Sequence, residues 1–374
     1  MLNAMSTPAK ILIIGNYPPP MCGWAMQTKL VVEELRRRGH ICEVLKINEN
    51  HQAPSPEYID VQGGFDYLRQ VWLYARGGYR LNVHLNGMGR TGYLLALAAA
   101  VIGRLANRPI TLTFHGGLPQ NNFPRESGVW RFAFQLLFHL ADGIGCDAAP
   151  IKQAIESYGV RPESVQAIAT FSPQYVNFEP ASLPAASEDF LSRHQPRIFC
   201  YVSFRPEYRL ETLRECMRLY RKIHPDAGFI WLGFPARELR DAEQFVSRWP
   251  KEEQYSLLLL GNLPHEEFLT LLSRSSIFLR TPACDGVCAS VLESLALGIP
   301  VVASENGRRP DGVTAYRDSD PADMCAKLLE RTERGPEAKA VVAAVRAEDN
   351  ISAMADWLTG GGPVRAVPEA VTAI

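Results

Sequence analysis

Residues 276–303 decide the fold and read SIFLRTPACDGVCASVLESLALGIPVVA. An apolar strand at 276–279 is followed by a loop that contains Pro282 and Gly286, a short helix over 288–297 and a second strand at 301–303. Gly298 and Pro300 end the helix. This order predicts a strand–loop–helix–strand unit in a parallel α/β sheet, in which ligands bind in the loops at the carboxyl ends of the strands.

The start of this helix has the chemistry of a diphosphate site. Its free N–H groups, near Cys288 and Ala289, favour an anion. Glu293 lies one to two turns further on, and its two carboxylate oxygens can accept hydrogen bonds from the paired hydroxyls of a ribose. Asp285 stands in the loop eight positions earlier. Taken singly, Asp285 is a turn former and Glu293 an exposed helix residue; taken together, they indicate a nucleotide site.

The pattern Asp285-Gly286, six positions, Glu293, a small-residue helix and Gly-x-Pro-Val-Val-Ala resembles the donor-binding element of retaining glycosyltransferases of family 4. That resemblance implies the GT-B fold, an α/β architecture with two Rossmann-like parallel-sheet domains facing a central cleft. It implies a nucleotide-sugar donor whose sugar contacts Asp285, Gly286 and Val287 and whose diphosphate lies at Cys288 and Ala289. The family usually has Glu in place of Asp285 and a second glycine in place of Cys288.

Two arginines follow the strand at 197–202. The family has Gly-Arg and then Glu-Lys-Gly at this turn, so Arg209 aligns with the lysine, and Arg205 lies one place from the expected arginine. The resemblance implies that both bind the diphosphate and stabilise its charge as the sugar leaves. Arginine keeps the charge of lysine and adds bidentate geometry toward phosphate. The alternative is that both are surface residues at the start of a helix.

The first half opens with an apolar strand at 10–15, a Pro-rich loop and a helix from about residue 26. The opening lacks G-x-G-x-x-G, so a dinucleotide cofactor and a dehydrogenase are disfavoured. The resemblance places Gly23 in a loop that lines the cleft. His115 follows a strand at 109–114 and precedes two glycines, where ligands bind, and the resemblance implies that it faces the donor sugar. A structural histidine is the alternative.

Composition predicts a Pro-, Ser- and Ala-rich linker at 176–196, between an N-terminal domain at 1–175 and a second domain at 197–350. The resemblance implies that the first is the acceptor-side domain and the second the nucleotide-sugar-binding domain. A helix is predicted over 336–358. Residues 351–374 are predicted to form a C-terminal helix, which the family often returns to the N-terminal domain, and a disordered tail.

Charge and cysteine usage exclude several classes of function. The chain of 374 residues has a net charge of −1 and no basic block, so a nucleic-acid partner is not expected. None of the eight cysteines forms C-x-x-C, which indicates reduced, buried thiols. No histidine or third cysteine follows Cys284 and Cys288 nearby, so a metal site at this pair is not expected. With arginines available to bind the diphosphate, we predict no metal and no other cofactor.

We expect a protein of the cytoplasm, either free there or at the inner face of the cell membrane. The apolar run at 11–14 is too short for a signal peptide, and the run at 93–102 is too short to span a bilayer. Segment 65–79 interleaves aromatic and basic side chains, which suits either an anionic membrane surface or a sheet-covering helix. Asp66 and the small number of arginines favour the sheet-covering helix.

The most concrete hypothesis is therefore a retaining glycosyltransferase that moves a sugar from a nucleotide-sugar donor to a glycan, lipid-linked or small-molecule acceptor. A nucleotide-sugar epimerase or hydrolase of the same fold would act without an acceptor, and product analysis separates the two. A non-catalytic sugar-nucleotide-binding protein would bind without turnover.

Overall fold

The computed structural model describes residues 8–19, 23–48, 55–86, 90–115, 123, 128–284, 288–307, 309–336 and 339–360. The predicted contacts of Asp285, Gly286 and Val287, and the predicted tail after residue 360, lie outside these residues. The described chain divides into two compact units. The first comprises residues up to 174 together with 349–360, and the second comprises residues 175–348.

The first unit is built on a seven-stranded parallel sheet with strand order β3-β2-β1-β4-β5-β6-β7. The strands are β1 (Lys10–Gly15), β2 (Ile41–Lys46), β3 (Ile59–Asp60), β4 (Arg80–Leu85), β5 (Ile110–Phe114), β6 (Gly143–Cys146) and β7 (Val165–Ala167). Its helices are α1 (Gly23–Arg37), α2 (Gly64–Arg76), α3 (Arg90–Leu105), α4 (Val129–Leu140), α5 (Ala149–Glu156) and, from the chain's last described segment, α14 (Asn350–Thr359).

Continuous apolar runs explain why these strands are central. In β1, every residue after Lys10 is buried, which is the pattern of a strand covered on both faces. Ile13 pairs with Val44 on one side and with Asn82 on the other. All pairings are parallel, so the carboxyl ends of the strands lie at one edge of the sheet. The residues that follow β4 and β5 therefore meet at that edge.

The last described helix belongs to the first unit. Helix α14 packs against α1, and Asp349 caps it by accepting the N–H of Ser352 at 2.9 Å. The indole of Trp357 lies over β6, where a Cβ on Gly143 or Gly145 would come within 3.2 Å of the ring. The two glycines of β6 therefore make room for the tryptophan, and the last helix closes the face of the sheet at this point.

Replacing Trp357 by alanine should destabilise the first unit by about 2–3 kcal/mol, because the half-buried indole loses its packing on β6 and the gap has no other side chain to fill it. The midpoint of urea unfolding checks this. Trp72→Ala is the control, since that tryptophan lies on α2 and is 40% exposed. Equal midpoints for the two variants would contradict the assigned packing.

The second unit has a six-stranded parallel sheet of order β10-β9-β8-β11-β12-β13. The strands are β8 (Arg197–Tyr201), β9 (Gly228–Phe234), β10 (Leu257–Gly261), β11 (Ile277–Arg280), β12 (Val301–Ser304) and β13 (Val313–Tyr316). The helices are α6 (Ala185–Arg193), α7 (Leu210–Arg221), α8 (Leu239–Ser247), α9 (Lys251–Tyr255), α10 (His265–Ser273), α11 (Ala289–Ala296), α12 (Pro321–Arg334) and α13 (Lys339–Val345).

The sheets confirm the predicted α/β fold with two parallel-sheet domains. Residues 276–303 contain β11, α11 and most of β12, and β11 pairs with both β8 and β12. The turn after β8, which carries Arg205 and Arg209, and the loop after β11 thus lie at neighbouring positions on the carboxyl edge of this sheet.

Two segments differ from the sequence interpretation. Within the linker predicted at 176–196, residues 185–193 form α6, because Phe190 and Leu191 on one side of this short helix are buried in the second unit. The single helix predicted over 336–358 is instead two helices, α13 and α14. The two helices are separated before Asp349, whose carboxylate accepts the N–H of Ser352 and caps the start of α14. Among the described residues, no helix combines the length and apolar content needed to cross a bilayer.

Candidate functional site

Two histidines lie side by side at the carboxyl edge of the first unit's sheet. His84 is on β4, and His115 directly follows β5. Nε2 of His115 is 3.1 Å from Nδ1 of His84, and the indole of Trp24 stacks on His115 with 4.6 Å between ring centres. Both imidazoles are buried. Gly15 leaves room for His84, since a Cβ at Gly15 would lie 2.9 Å from the Cβ of that histidine.

The partners of His84 fix which of its nitrogens carries the proton. The indole N–H of Trp24 can only donate, and it lies 2.9 Å from Nδ1, so Nδ1 accepts. Nε2 is 2.7 Å from Oδ1 of Asn82. The Asn82 amide is oriented by donating its NH₂ group to the hydroxyls of Thr111 and Thr113 at 2.9 and 3.0 Å. Nε2 of His84 therefore carries the proton and donates to Asn82.

His115 faces the same nitrogen of His84, with its Nε2 at 3.1 Å from Nδ1 of that residue. The Nδ1 atom of His115 lies 3.9 Å from Oδ1 of Asp147, which directly follows β6. The chain of hydrogen bonds from Thr111 and Thr113 through Asn82 thus sets the tautomer and the orientation of His84, and the predicted site histidine lies against that residue.

Burial keeps both imidazoles neutral. Desolvation lowers the pKa of His84 to about 3. The pKa of His115 is held well below its usual value by desolvation first and by the neighbouring His84 second. A neutral imidazole has one acceptor nitrogen, so His115 at neutral pH can accept a hydrogen bond and is not a fixed cation.

Long-range ¹H–¹⁵N NMR should show no titration of either histidine between pH 8 and pH 5, and His84 with its proton on Nε2. The lowered pKa of His84 also decides how stability depends on pH. An unfolded histidine takes up a proton near pH 6.5, whereas His84 in the folded protein does so only near pH 3, so the free energy of unfolding falls as pH decreases below about 6.5. Titration of either imidazole near pH 6.5, or a protonated Nδ1 on His84, would contradict these assignments.

In the second unit, a buried carboxylate holds the turn that follows β8. Glu238 precedes α8, and its Oε2 accepts the hydroxyl of Ser203 at 2.7 Å and the backbone N–H of Phe204 at 2.8 Å. Its Oε1 lies 3.7 Å from Nε of Arg205. The guanidinium of Arg205 is about half exposed, so Glu238 fixes the backbone of the turn and leaves the cation open to solvent.

Arg209 caps α7 in an unusual backbone conformation. Its φ of 50° and ψ of 44° lie in the left-handed region, which costs a side-chain-bearing residue about 1 kcal/mol relative to glycine. The Nη2 atom lies 3.2 Å from Asp318, and Nη1 donates to the carbonyl of Pro206 at 3.2 Å. The hydrogen bond and charge of Asp318 raise the pKa of Arg209, with smaller contributions from Cys284 and Glu207. Strained residues of this kind concentrate at functional sites.

Both predicted arginines line one cavity at the start of α7. It measures about 550 Å³, within the range of small-molecule sites. Arg248, directly after α8, adds a third guanidinium to the lining, and Glu211 and Asp241 contribute carboxylates. A cavity with three guanidinium groups suits a ligand that carries more than one negative charge. The structure thus brings Arg205 and Arg209 together, as the sequence predicts.

Glu293 has a partner that the sequence did not indicate. It is buried in α11, and its Oε1 accepts a hydrogen bond from Nε2 of His265, the first residue of α10, at 2.8 Å. This contact orients the carboxylate and leaves Oε2 as a further acceptor. Among the residues that the structure describes, Glu293 does not line the cavity shared by Arg205 and Arg209.

A buried arginine joins the loop after β11 to the turn after β8. The guanidinium of Arg280 lies over the rings of Tyr201 and Tyr208, at 5.5 and 5.2 Å from their centres.

Cys288, with extended backbone, precedes α11, and Ala289 is the first residue of that helix. Gly23 is the first residue of α1 in the other unit, one position before Trp24. The predicted helix start at Cys288 and Ala289 is therefore formed.

Sequence reasoning missed the residues that support the site. His84 carried a signal: polar residues alternate at Asn82 and His84 in an otherwise apolar strand, which places both on one face of the sheet. Thr111 and Thr113 repeat the alternation in the next strand. Glu238, Asp318 and His265 carried none, because each meets its partner only through the tertiary fold.

The seven cysteines in the described chain are free thiols, and Cys284 is exposed while Cys288 is half-buried. Within the ranges that the structure describes, no three histidine, cysteine or carboxylate side chains form a group that could hold a metal ion.

The second unit of the chain is similar in sequence to a known protein family. A sequence model of the family described as Glycosyl transferases group 1 matches residues 185–340, which include the cavity arginines and Glu293. No curated protein sequence matches the chain.

Solved structures resemble the whole chain. Sucrose-phosphate synthase from Thermosynechococcus elongatus superposes with a TM-score of 0.65 at 16% identity, over 94% of this chain and 98% of that one. UDP-GlcNAc 2-epimerase from Methanocaldococcus jannaschii gives 0.64 at 13% identity, over 94% and 100%. Anabaena HepE in complex with UDP-glucose gives 0.61 at 12% identity, over 92% and 94%. The chain therefore has the GT-B fold, and its second unit contains a glycosyltransferase-like domain.

Proposed function

We propose that the chain is a retaining glycosyltransferase of family 4 that transfers a sugar, of the hexosyl type, from a nucleotide-sugar donor to a glycan, lipid-linked or small-molecule acceptor. The observation that carries the proposal is the cavity at the start of α7, with Arg205 and the strained Arg209 in its lining, inside the segment that matches the glycosyltransferase family. Similar structures were solved with UDP or UDP-glucose bound, which supports a nucleotide-sugar donor.

Charge development on the leaving group explains the two arginines. Breaking the bond between the anomeric carbon and the phosphate oxygen adds one further negative charge to the diphosphate. Fixed cations and helix N–H groups stabilise that charge without reorganising. Arg205, Arg209 and the start of α11 at Cys288 and Ala289 would supply them. We therefore propose a metal-independent reaction, whose rate a chelator leaves unchanged.

The remaining residues would orient the donor. Glu293, held by His265, would accept hydrogen bonds from the two ribose hydroxyls. Asp285, Gly286 and Val287 would contact the sugar, and Gly23 would allow close approach of the backbone to the donor. His115, as a neutral imidazole, would form a hydrogen bond with a hydroxyl of the reacting sugar. Cellular polysaccharide synthesis in the cytoplasm is the process that suits such an enzyme.

Product analysis tests the proposal. The protein is incubated with a nucleotide sugar, with and without a mixture of glycan and lipid-linked acceptors, and the products are followed by NMR. Transfer predicts a new glycosidic bond with the anomeric configuration of the donor, formed only with acceptor. An epimerised nucleotide sugar or free sugar without acceptor would support the epimerase or hydrolase reading, to which the epimerase-like structures also correspond. Binding without any product would indicate a binding protein.

A further inference from the structure

Three neighbouring helices of the first unit expose large apolar side chains to solvent. Helix α3 packs between α2 and α4. Of the fourteen large apolar residues exposed in the described chain, ten lie on these three helices. They are Phe65, Leu68, Trp72 and Leu73 on α2, Leu94, Val101 and Leu105 on α3, and Val129, Phe132 and Leu136 on α4. We call this surface the outer apolar face.

Helical spacing shows that the exposure is systematic. On α2, Phe65, Leu68 and Trp72 follow one another at three and four positions, so they lie on one side of the helix. Tyr67 and Val71, on the opposite side, are buried against the sheet. The helix therefore covers the sheet, as the sequence analysis favoured, and is also apolar toward solvent. Scattered exposed apolar residues are ordinary, but contiguous patches of this kind mark interaction surfaces.

The charge on the same helices selects the partner. The three helices carry five arginines and one aspartate, in a chain whose net charge is −1. Arg69 pairs with Asp66, and Arg104 pairs with Asp142 after α4, so the surface keeps a net positive charge through the remaining three arginines. Arg76 lies over the ring of Trp72 at 5.6 Å, and Arg90 lies over Trp130 at 5.1 Å, so cations accompany the aromatic rings. A second copy of this face would bring arginines against arginines. An anionic lipid surface offers both acyl chains for the apolar residues and phosphate charge for the arginines.

We propose that the outer apolar face docks on the surface of an anionic lipid bilayer, without crossing it. The docking itself is independent of the donor. A second part of the proposal does rest on the proposed function: the enzyme meets a lipid-linked acceptor at this surface. The exposed Phe65, Leu105 and Phe132, one from each helix and each at least two-thirds exposed, would enter the interface between headgroups and acyl chains.

Vesicle sedimentation with the full-length protein tests the docking. We expect binding to vesicles of phosphatidylcholine and phosphatidylglycerol in equal amounts, weaker binding to phosphatidylcholine alone, and loss of binding as salt is raised. The variant Phe65→Ser, Leu105→Ser, Phe132→Ser should lower the partition coefficient at least about tenfold. The control Ile41→Ser, Ile223→Ser, Leu239→Ser removes three apolar residues exposed elsewhere and should bind as the wild type does.

A second variant and a second readout separate the outcomes. Arg69→Gln with Arg76→Gln should weaken binding to the anionic vesicles and reduce its salt dependence. The thermal shift produced by a nucleotide sugar without vesicles should be unchanged in the serine variant, so a failed donor proposal and a failed docking proposal give different results. Absence of vesicle binding, equal loss in the control, or a dimer that the serine variant alone dissociates in light scattering would overturn the proposal.

Discussion

Replacing Arg209 by glycine should lower kcat/KM for sugar transfer by about two orders of magnitude or more and leave the protein at least as stable as the wild type. The two effects have separate causes. The turnover depends on the guanidinium, which would stabilise the charge that develops on the departing diphosphate. The stability depends on the backbone, whose φ of 50° glycine adopts without the penalty that arginine carries. The ion pair with Asp318 is partly exposed, so its loss costs little.

Steady-state kinetics and thermal unfolding of the same preparation check both halves. Arg209→Lys should restore part of the turnover, since it returns the charge without the bidentate geometry. The control is Arg218→Ala on the same helix, which removes an equal charge from an exposed position that pairs with Glu215. If Arg209→Gly keeps wild-type turnover, Arg209 has no part in the reaction. If it lowers turnover only by lowering the melting temperature, the arginine is structural.

Glu293→Gln should weaken binding of the nucleoside diphosphate about thirtyfold, which corresponds to about 2 kcal/mol for hydrogen bonds to a charged acceptor. Glutamine keeps the shape of the side chain, and its carbonyl oxygen can still accept the hydrogen bond from Nε2 of His265. It removes the negative charge and one of the two acceptor oxygens. A ribose diol donates two hydrogen bonds, so the loss should appear in affinity and leave folding intact.

Isothermal titration of wild type and variant with the nucleoside diphosphate measures this effect. Glu266→Gln is the matched control, because it makes the same chemical change one position after His265 on an exposed side chain. The corresponding nucleoside 2′,3′-dideoxy diphosphate should bind the wild type and the Glu293 variant with similar affinity. Equal affinity of both proteins for the normal diphosphate would remove Glu293 from the ribose contact and leave it a structural partner of His265.

The regular parts of the fold were predictable because they depend on local patterns. β1 occupies the predicted residues 10–15, since an uninterrupted apolar run has few alternatives to a buried parallel strand. The unit β11–α11–β12 follows from the same reasoning, with Gly298 and Pro300 ending the helix. Local composition was a poorer guide at 185–193, where prolines and serines around Phe190 concealed a short helix.

The support of the site could not be predicted, because it depends on contacts between distant residues. Glu293 was recognisable from its position in a helix, but its hydrogen bond to His265 requires the packing of α10 beside α11. Likewise, the sequence marked Arg209 but not Asp318, which lies after β13, more than a hundred positions away. The left-handed conformation of Arg209 also has no sequence signal, since arginine rarely adopts it. The outer apolar face became visible only when buried and exposed sides of α2, α3 and α4 could be separated.

The measurement that tests the central claim most directly is a thermal-shift panel of UDP-, GDP- and ADP-sugars on the full-length protein, with and without Mg²⁺ and with the Arg209→Gly variant alongside. The account predicts that sugars of one nucleotide raise the melting temperature by several degrees, that Mg²⁺ is not needed, and that the variant loses most of the shift. If no nucleotide sugar stabilises the wild type, or if the variant is stabilised equally, the assignment of the second unit as a nucleotide-sugar site with Arg209 at its diphosphate is contradicted.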